Sequence, residues 1–530
     1  MKLNTESIKD RAFWEKAGIT LPRFDREKMI AATKAAPKWV HFGPGNIFRA
    51  YTAALAQSLL EEGFESTGII VAEGYDGEII DKSFTAFDNL TLLVTLKSDG
   101  TVDKKVIGSV AQAIRMDSEP AELKKIFAVP SLQMASFTIT EKGYRLKGLD
   151  GEFFPDVAKD LKAGPAAASS YLGQIASLLH ERYKNGKLPL AMVSMDNCSH
   201  NGDVLFGAME TIAKAWAENG CAEAGFLDYI RDKSKLSFPW TMIDKITPSP
   251  DESVRDMLVA SGLEDMQGCV TKKNIYIAPF VNAEETGYLV IENAFPNGKP
   301  ALEKAGVFFT DRETVDKVEK MKVCTCLNPL HTTLAIFGFL LGFKRISDTM
   351  KDPDLLKLVN GIGYIEGMPV VTDPGIIKPA DFIEQAIKVR LPNPFMPDTP
   401  QRIATDSSLK IPIRFGETIK SYLSAGKNVS ELKFIPLVFA GWLRYILGVD
   451  DKGEPYKVSP DPQYESLAAH LSGISLGQKG PFSDKLKPIL SNSTLFGVNL
   501  YEAGLGNKVE DLFIRLLAGP GSVRKILSEM

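Results

Sequence analysis

The stretch "KWVHFGPGNIFRA", residues 38–50, places a short apolar segment before a Gly-Pro-Gly turn and a segment that can open a helix. Gly43 and Gly45 let the backbone turn tightly and approach a pyrophosphate, whose charge is favoured by the free N–H groups at a helix start. The third glycine of the usual dinucleotide fingerprint is missing, so a plain turn after a strand is the alternative. We predict a strand, a phosphate-binding turn and a helix, with these cofactor-binding residues: Gly43, Gly45, Asn46 and Arg49.

A second apolar segment, "TGIIVAEG" at residues 67–74, ends in an acidic residue. At the end of the second strand of such a fold, a carboxylate accepts hydrogen bonds from a ribose 2′-hydroxyl and repels a 2′-phosphate. We therefore predict that Glu73 binds the cofactor and that the cofactor is NAD rather than NADP. The alternative is that Glu73 is a solvated strand end.

Throughout the first half of the chain, short β-branched or apolar runs alternate with amphipathic segments, which is typical of a mostly parallel sheet covered by helices. Besides the two segments above, residues 134–140 and 190–197 are predicted strands. Residues 90–110 predict two strands around a turn at Asp99 and Gly100, and residues 274–294 predict another antiparallel pair.

From about residue 311 the apolar residues recur at spacings of three and four, which indicates helices. The predicted fold class is α/β, with an N-terminal Rossmann-type domain containing an extended mixed sheet, followed by a mainly α-helical C-terminal domain. We assign residues 1–310 to an NAD-binding domain and residues 311–530 to a helical substrate-binding and catalytic domain.

Composition excludes several classes of function. The 530 residues are too many for one hydrophobic core, so at least two domains are expected. The 62 basic and 66 acidic residues give a net charge of −4. That balance is unlike a nucleic-acid or membrane-surface binder. The apolar run at residues 334–343 is short for a membrane span. Five scattered cysteines and an N-terminus without an apolar signal core indicate a cytoplasmic protein, and a lone C-x-C at Cys324 and Cys326 indicates no metal site.

The segment "NPLHTTLAIFGFLLGF", residues 328–343, places Asn328 and His331 at the head of a long apolar run, with Lys322 six positions before the asparagine. These three residues are either a catalytic set or the polar start of a core helix. A single histidine beside an apolar helix is usually a satisfied core residue.

Seven separated strings occur in an order that resembles the polyol-specific long-chain dehydrogenases, a family that includes mannitol 2-dehydrogenase, fructuronate reductase and tagaturonate reductase. They are "LPRFDREK", "HFGPGNIFRA", "FTITEKGY", "SMDNCSHNGD", "FPWTMIDKITP", "ENAFPNGKPALEKAGV" and "MKVCTCLNPLHT". The resemblance implies a Rossmann-type domain, a helical domain, a cleft between them, and metal-independent hydride transfer at a secondary alcohol.

The same resemblance implies roles for individual residues. Lys322 is the general base in alcohol oxidation and the general acid in ketone reduction, and Asn328, His331 and Asn197 match the groups around the reacting oxygen. A base of this kind must lie within hydrogen-bond reach of the hydroxyl proton, and carboxamide N–H groups steady an alkoxide. Asp244 matches a cleft aspartate that tunes the lysine.

The resemblance also assigns substrate binding to Arg402 and Lys410. Each of these assignments has a structural alternative. Asn197 can cap a strand end, Asp244 can form a loop salt bridge, and Arg402 with Lys410 can form a solvated helix face.

One spacing departs from the family pattern, because five residues rather than four separate Lys322 from Asn328. One extra residue rotates a helical side chain by about 100°. Pro329 disrupts a continuous helix, so we predict a π-bulge or a break between Val323 and Asn328 that returns the lysine to the cleft. The alternative is that Asn328 only caps a helix that starts at Pro329.

The predicted function is an NAD-dependent oxidoreductase that interconverts a C2 ketone and a secondary alcohol on an open-chain sugar acid or polyol, with D-fructuronate and D-mannonate as the preferred pair. Mannitol and fructose are the second choice. Readings of other classes are an epimerase that retains NAD and a non-catalytic NAD-responsive binding protein. The expected partner is a small-molecule sugar acid or polyol, and a monomer and a dimer both remain open.

Overall fold

The computed structural model describes all residues from Met1 to Met530. The chain divides into two compact units. The first comprises Met1–Lys97 with Thr101–Asp316, and the second comprises Ser98–Gly100 with Lys317–Met530.

The first unit contains every strand of the protein. The strands are β1 Ile19–Thr20, β2 Trp39–Phe42, β3 Ile69–Glu73, β4 Thr91–Leu96, β5 Val102–Ile107, β6 Val110–Arg115, β7 Met134–Phe137, β8 Leu190–Ser194, β9 Leu236–Ser237, β10 Thr241–Asp244, β11 Cys269–Val270, β12 Tyr276–Ile277, β13 Phe280–Glu284, β14 Tyr288–Glu292 and β15 Phe308–Thr310.

Six of these strands form one parallel sheet in the order β6-β3-β2-β7-β8-β9. The chain starts in the middle at β2, runs outward through β3 to β6, and then returns to β7 on the other side of β2. This is the doubly wound order of the Rossmann fold. The four strands predicted from the apolar segments are confirmed, and so is the predicted fold class.

Helices cover both faces of this sheet. The helices of this unit are α1 Arg11–Lys16, α2 Arg26–Ala35, α3 Ala53–Glu61, α4 Glu78–Ser83, α5 Pro120–Phe127, α6 Thr140–Gly143, α7 Pro155–Ala163, α8 Tyr171–Lys184, α9 Asn201–Glu218, α10 Ala224–Arg231 and α11 Glu252–Ala260. Because successive strand residues point to opposite faces, Val40 and Phe42 of β2 join one apolar core while Trp39 joins the other. Burial on both faces explains why the strands have near-continuous apolar sequences.

The remaining strands correct one prediction. The pair β4 and β5 is antiparallel, as predicted, and lies in a four-stranded sheet of order β1-β5-β4-β13. However, β13 and β14 do not pair with each other. β13 runs parallel to β4, and β14 pairs with β10 and β15. The connection between β13 and β14 is short enough for a hairpin, but the two strands form their backbone hydrogen bonds in different sheets.

The second unit is helical. Its helices are α12 Arg312–Met321, which begins in the first unit, α13 Asn328–Leu340, α14 Ile346–Thr349, α15 Pro353–Asn360, α16 Pro379–Gln385, α17 Pro400–Ala404, α18 Ser407–Ile411, α19 Glu417–Ser424, α20 Phe434–Ile446, α21 Tyr464–His470, α22 Ser483–Leu490, α23 Ser493–Phe496, α24 Gly506–Leu516 and α25 Ser522–Ser528. Four π-helical segments interrupt or extend them: Lys322–Cys326, Gly361–Gly367, Ala386–Arg390 and Pro412–Gly416.

The core of the second unit forms around α13 and α20. Almost every residue of both helices is buried, from Pro329 to Leu340 and from Ile435 to Ile446. The helical run Arg312–Leu340 is long and apolar enough to cross a membrane by length and composition alone, yet 78% of its most apolar window is buried within the protein. Its apolar character is therefore that of a core helix.

Candidate functional site

A cavity of about 730 Å³ lies at the carboxyl ends of β2, β3 and β7 in the first unit. Its lining includes Gly43 and Gly45 after β2, Glu73 at the end of β3, and Thr138 after β7. The strand order reverses between β2 and β7, and ligands of doubly wound sheets bind in the crevice at this switch point. Three of the predicted cofactor-binding residues therefore come together in one pocket.

A relay of hydrogen bonds fixes the turn at Gly43. Trp39 Nε1 donates to Ser136 Oγ (2.7 Å), which lies 2.7 Å from His41 Nδ1. On the other side of the ring, His41 Nε2 lies 2.9 Å from Thr138 Oγ1, and that hydroxyl donates to the Gly43 carbonyl (2.8 Å). Since each hydroxyl has one proton to donate, the relay places the imidazole proton on Nε2. Burial lowers the pKa of His41 to about 3, so the ring is neutral.

The two glycines serve different purposes. Gly43 has a φ of +95°, and a Cβ there would lie 2.2 Å from the Thr138 carbonyl oxygen. Gly45 has open space around the position of a Cβ. A helical run begins at the half-exposed Asn46, next to this open space. The turn can therefore bring a phosphate to the unbonded N–H groups of the first helical turn, as predicted for a pyrophosphate site.

Glu73 is held at the pocket by its own loop. Its Oε1 accepts hydrogen bonds from the backbone N–H groups of Tyr75 and Asp76, the latter at 2.9 Å. Burial raises the pKa of Glu73, and the two backbone hydrogen bonds oppose the rise. Oε2 accepts no hydrogen bond from the protein. Glu73 is thus a fixed carboxylate with one acceptor oxygen available, which fits a ribose hydroxyl, rather than a solvated strand end.

Arg49 does not line the pocket, contrary to the prediction. Its guanidinium is buried, donates from Nη1 to the Ala278 carbonyl (2.9 Å), and lies 5.7 Å from the ring centroid of Phe84. The residue lies in the π-helical segment Phe48–Thr52, whose wider turn directs it into the core. Its Nε also donates to the hydroxyl of Thr91 in β4 (3.3 Å), so the structure gives Arg49 a role in holding this helix against β4 and the segment before β13.

Two more predicted residues belong to the first unit. Asn197 is exposed in the turn after β8, while its neighbour Asp196 accepts hydrogen bonds from the backbone of Ile139 and Thr140, both at 2.9 Å. Asp196 thus joins the strand end after β8 to the loop after β7. Asp244 is buried at the end of β10. Asp244 interacts electrostatically with the half-buried Tyr51. Burial raises the pKa of Tyr51, and the negative charge of Asp244 raises it further.

In the second unit, the predicted distortion before Asn328 is confirmed. The helix changes from α to π geometry at Lys322–Cys326, and the Leu327 N–H donates to the Lys322 carbonyl at 3.1 Å, five residues back. Leu327 then leaves helical geometry before α13 begins. A π-bulge accommodates one added residue per turn, which offsets the longer spacing. Lys322 is 5% exposed, so its side chain is not in bulk water.

Asn328 is the first residue of α13, and Pro329 follows it in the first turn. Leu327 occupies the cap position, where no side chain caps the helix. The carboxamide of Asn328 forms no hydrogen bond within the protein and is half-exposed. The capping alternative is therefore wrong, and the carboxamide can bind a ligand.

His331 lies one turn further along, among positive charges. Its Nε2 is 3.2 Å from Asp398 Oδ2, but the ring is misaligned and Nε2 has no hydrogen-bond partner. Burial, together with the positive charges of Arg414, Arg402, Arg390 and Lys410, lowers the pKa of His331 to about 3. His331 is therefore a neutral side chain with an unsatisfied nitrogen rather than a satisfied core residue.

The two predicted substrate-binding residues differ in their surroundings. The guanidinium of Arg402 is 61% exposed and forms an ion pair with Asp398. Lys410 is half-buried, and its Nζ donates to the carbonyls of Ile403 (3.1 Å) and Thr405 (2.5 Å). Burial lowers the pKa of Lys410 to about 8. Only Arg402 resembles a solvated helix face.

Comparison with known proteins identifies the family. The mannitol dehydrogenase Rossmann domain matches residues 37–304, and the mannitol dehydrogenase C-terminal domain matches residues 314–512. The chain belongs to the mannitol dehydrogenase family. The predicted resemblance is thereby confirmed.

Several members of the mannitol dehydrogenase family are similar over most of their length. D-mannonate oxidoreductase of Thermotoga maritima is 53% identical and covers 100% of this chain and 99% of its own. Polyol:NADP oxidoreductase of Gluconobacter oxydans is 30% identical over 82% of this chain and 85% of its own. Mannitol 2-dehydrogenase of Pyrenophora tritici-repentis is 30% identical over 84% and 76%.

Two solved structures of mannitol dehydrogenase relatives share the fold. A substrate-free D-sorbitol dehydrogenase has a TM-score of 0.75 at 26% identity and covers 94% of this chain and 98% of its own. Mannitol 2-dehydrogenase of Pseudomonas fluorescens, in a ternary complex with NAD and D-mannitol, has a TM-score of 0.68 at 26% identity and covers both chains fully.

Sequence reasoning missed several residues that shape these sites in the mannitol dehydrogenase fold. His41 and Thr138 orient the Gly43 turn, and Asp196 joins the ends of two strands. A signal for His41 existed, because a polar residue in an otherwise apolar, fully buried strand needs a hydrogen-bond partner. Arg414 also has a signal, because it follows Lys410 by four positions and such residues share a helix face.

Proposed function

We propose that this protein is an NAD-dependent oxidoreductase that interconverts D-fructuronate and D-mannonate. The 53% identity with D-mannonate oxidoreductase over the full length of both chains carries the choice of substrate. The positive charges around His331 support it, because they favour a substrate with a carboxylate. Mannitol and fructose are the second candidate pair, supported by the relatives that act as mannitol 2-dehydrogenases.

The cofactor is NAD, and the first unit provides its site. The turn at Gly43 and Gly45 and the helix start at Asn46 would hold the pyrophosphate, and Oε2 of Glu73 would accept a hydrogen bond from the ribose. When bound, the nicotinamide supplies or accepts the hydride. A carboxylate at Glu73 disfavours a 2′-phosphate, because two negative charges would meet in a buried pocket.

The second unit provides the proton. In ketone reduction, the Lys322 ammonium donates a proton to the carbonyl oxygen as the carbon accepts a hydride. In the reverse direction, the unprotonated amine accepts the hydroxyl proton. The free carboxamide of Asn328 donates to the oxygen as negative charge develops, and the neutral ring of His331 orients the same end of the substrate. For Asn197 and Asp244 we keep the roles that the family resemblance implies, a second carboxamide donor and a carboxylate that tunes the lysine.

A panel of uronates and polyols tested with NAD and NADP examines this proposal. Oxidation of D-mannonate with net formation of NADH, at a higher kcat/KM than mannitol, supports it. Turnover of a sugar acid without net NADH supports an epimerase that retains the cofactor. Good affinity for NAD without turnover of any compound supports a non-catalytic binding protein.

We further propose that the enzyme is cytoplasmic. All five cysteines are free thiols in the structure, as expected in a reducing compartment.

A further inference from the structure

Arg414 lies beside the first turn of α13. It was not among the predicted substrate-binding residues. It belongs to the π-helical segment Pro412–Gly416. Its Nη1 donates to the Thr332 hydroxyl and to the Asn328 carbonyl, the latter at 3.4 Å. These two partners flank His331 in the sequence. The guanidinium is therefore anchored to the first turn of α13, and its charge acts on the imidazole that we assign to the substrate.

The other edge of this guanidinium is available. Nε and Nη2 of Arg414 donate no hydrogen bond within the protein, and neither is among the buried polar atoms that lack a partner, so both retain accessible surface. Nε and Nη2 form the fork that binds the two oxygens of a planar carboxylate.

Arg414 also lacks an acidic counter-ion. Burial is the sole cause that lowers its pKa, to about 10, so the group stays charged at neutral pH and no carboxylate offsets its charge. Two neighbouring cations differ in this respect, because Arg402 pairs with Asp398 and the negative charges of Asp406 and Asp461 act on Lys410. A mostly buried cation without a partner is costly unless an anion binds it.

We propose that Arg414 is a specificity-determining residue that binds the carboxylate of the sugar acid through its Nε and Nη2 edge. The assignment rests on the proposed function and deepens it, because it names the group that separates a sugar acid from a polyol. Thr332 acts as a positioning residue, since its hydroxyl holds the anchored side of the guanidinium.

The test compares two substrates that differ at one end. D-fructuronate has a carboxylate where D-fructose has a hydroxymethyl group, so the ratio of their kcat/KM values isolates the carboxylate. We expect Arg414→Gln to lower kcat/KM for D-fructuronate by about 10- to 100-fold, the range of one or two hydrogen bonds to a charged group. The value for D-fructose should change by less than about threefold, since no carboxylate is lost there.

Two further variants complete the design. Arg414→Lys keeps the charge and loses the fork, so it should give a smaller fall on the same substrate, and it carries the test if the glutamine variant does not fold. Arg345→Gln, at an exposed position of the same unit, is the matched control and should leave the ratio unchanged.

The outcomes are distinguishable. If the wild-type enzyme prefers D-fructuronate and both Arg414 variants keep the same preference, the role of Arg414 is refuted while the proposed function stands. If the wild-type enzyme reduces D-fructose as well as D-fructuronate, or neither of them, the proposed substrate and the role of Arg414 are refuted together.

Discussion

Replacing each glycine of the nucleotide turn by alanine separates folding from cofactor binding. At Gly43 the added Cβ would lie 2.2 Å from the Thr138 carbonyl oxygen, in a backbone conformation with φ of +95°. At Gly45 the added Cβ meets nothing within 4 Å, and the backbone conformation is compatible with alanine. The same substitution therefore has opposite effects two residues apart.

The magnitudes follow from these contacts. At Gly43, the left-handed conformation costs about 1–2 kcal/mol, and displacing Thr138 weakens a hydrogen bond that contributes about 1 kcal/mol. Gly43→Ala should thus lower the free energy of unfolding of this unit by about 2–3 kcal/mol. Gly45→Ala should leave it unchanged or raise it by about 0.4–1 kcal/mol, because alanine restricts the unfolded chain.

For cofactor affinity, Gly45→Ala is the informative variant. The methyl group of Gly45→Ala occupies the space that a pyrophosphate needs, so one or two charge-assisted hydrogen bonds are lost and Kd for NAD should rise about 10- to 100-fold. Urea denaturation and calorimetric titration with NAD measure both quantities on the same samples. A Gly45→Ala protein that binds NAD as tightly as the wild type would refute the placement of the pyrophosphate at this turn.

Three other predictions concern the pocket, the carboxamide and the buried histidines. Glu73→Ser should raise the NADP/NAD ratio of kcat/KM, because the carboxylate that repels a 2′-phosphate is removed; an unchanged ratio would exclude Glu73 from ribose recognition. Asn328→Ala should lower kcat by about 10²- to 10³-fold with an unchanged Tm, whereas Asn201→Ala, which removes four hydrogen bonds, should lower Tm. A fall in Tm for Asn328→Ala would indicate a structural role instead. His41 and His331 have pKa values of about 3 in the folded protein and about 6.5 when unfolded, so the unfolded chain binds more protons between these values and stability is lost as pH falls below 6.5. The loss should reach about 2 kcal/mol per histidine at pH 5, and equilibrium unfolding of the wild type and of His41→Gln should show a shallower pH dependence in the variant.

The parallel sheet could be predicted because burial on both faces leaves a local signature. Each central strand is a short, nearly continuous apolar run, and the turn after β2 contains the glycine that a φ of +95° requires. Pairing was predictable only where the connection was local, as in β4 and β5. The pairing of β13 with β4 joins residues almost two hundred positions apart, and nothing in the short connection between β13 and β14 indicates it.

The candidate site was predicted in part for a similar reason. The spacing from Lys322 to Asn328, together with Pro329, indicated a distortion, and the structure contains a π-helical segment there. Arg49 points inward because it lies in another π-helical segment, Phe48–Thr52. That segment contains no proline from which the distortion could be predicted. The open edge of Arg414 depends on hydrogen bonds to a different helix, which spacing alone does not show.

The central claim is that the Lys322 amine transfers the proton. The most direct measurement is the turnover of Lys322→Ala with D-mannonate, alongside its Kd for NAD and the same two values for the exposed control Lys420→Ala. We expect kcat to fall by about 10²- to 10⁴-fold in Lys322→Ala, the usual contribution of a general acid–base group, while NAD affinity and the control stay near wild type. Near-normal turnover in Lys322→Ala would contradict the account and direct attention to Lys410, whose pKa of about 8 suits the same task.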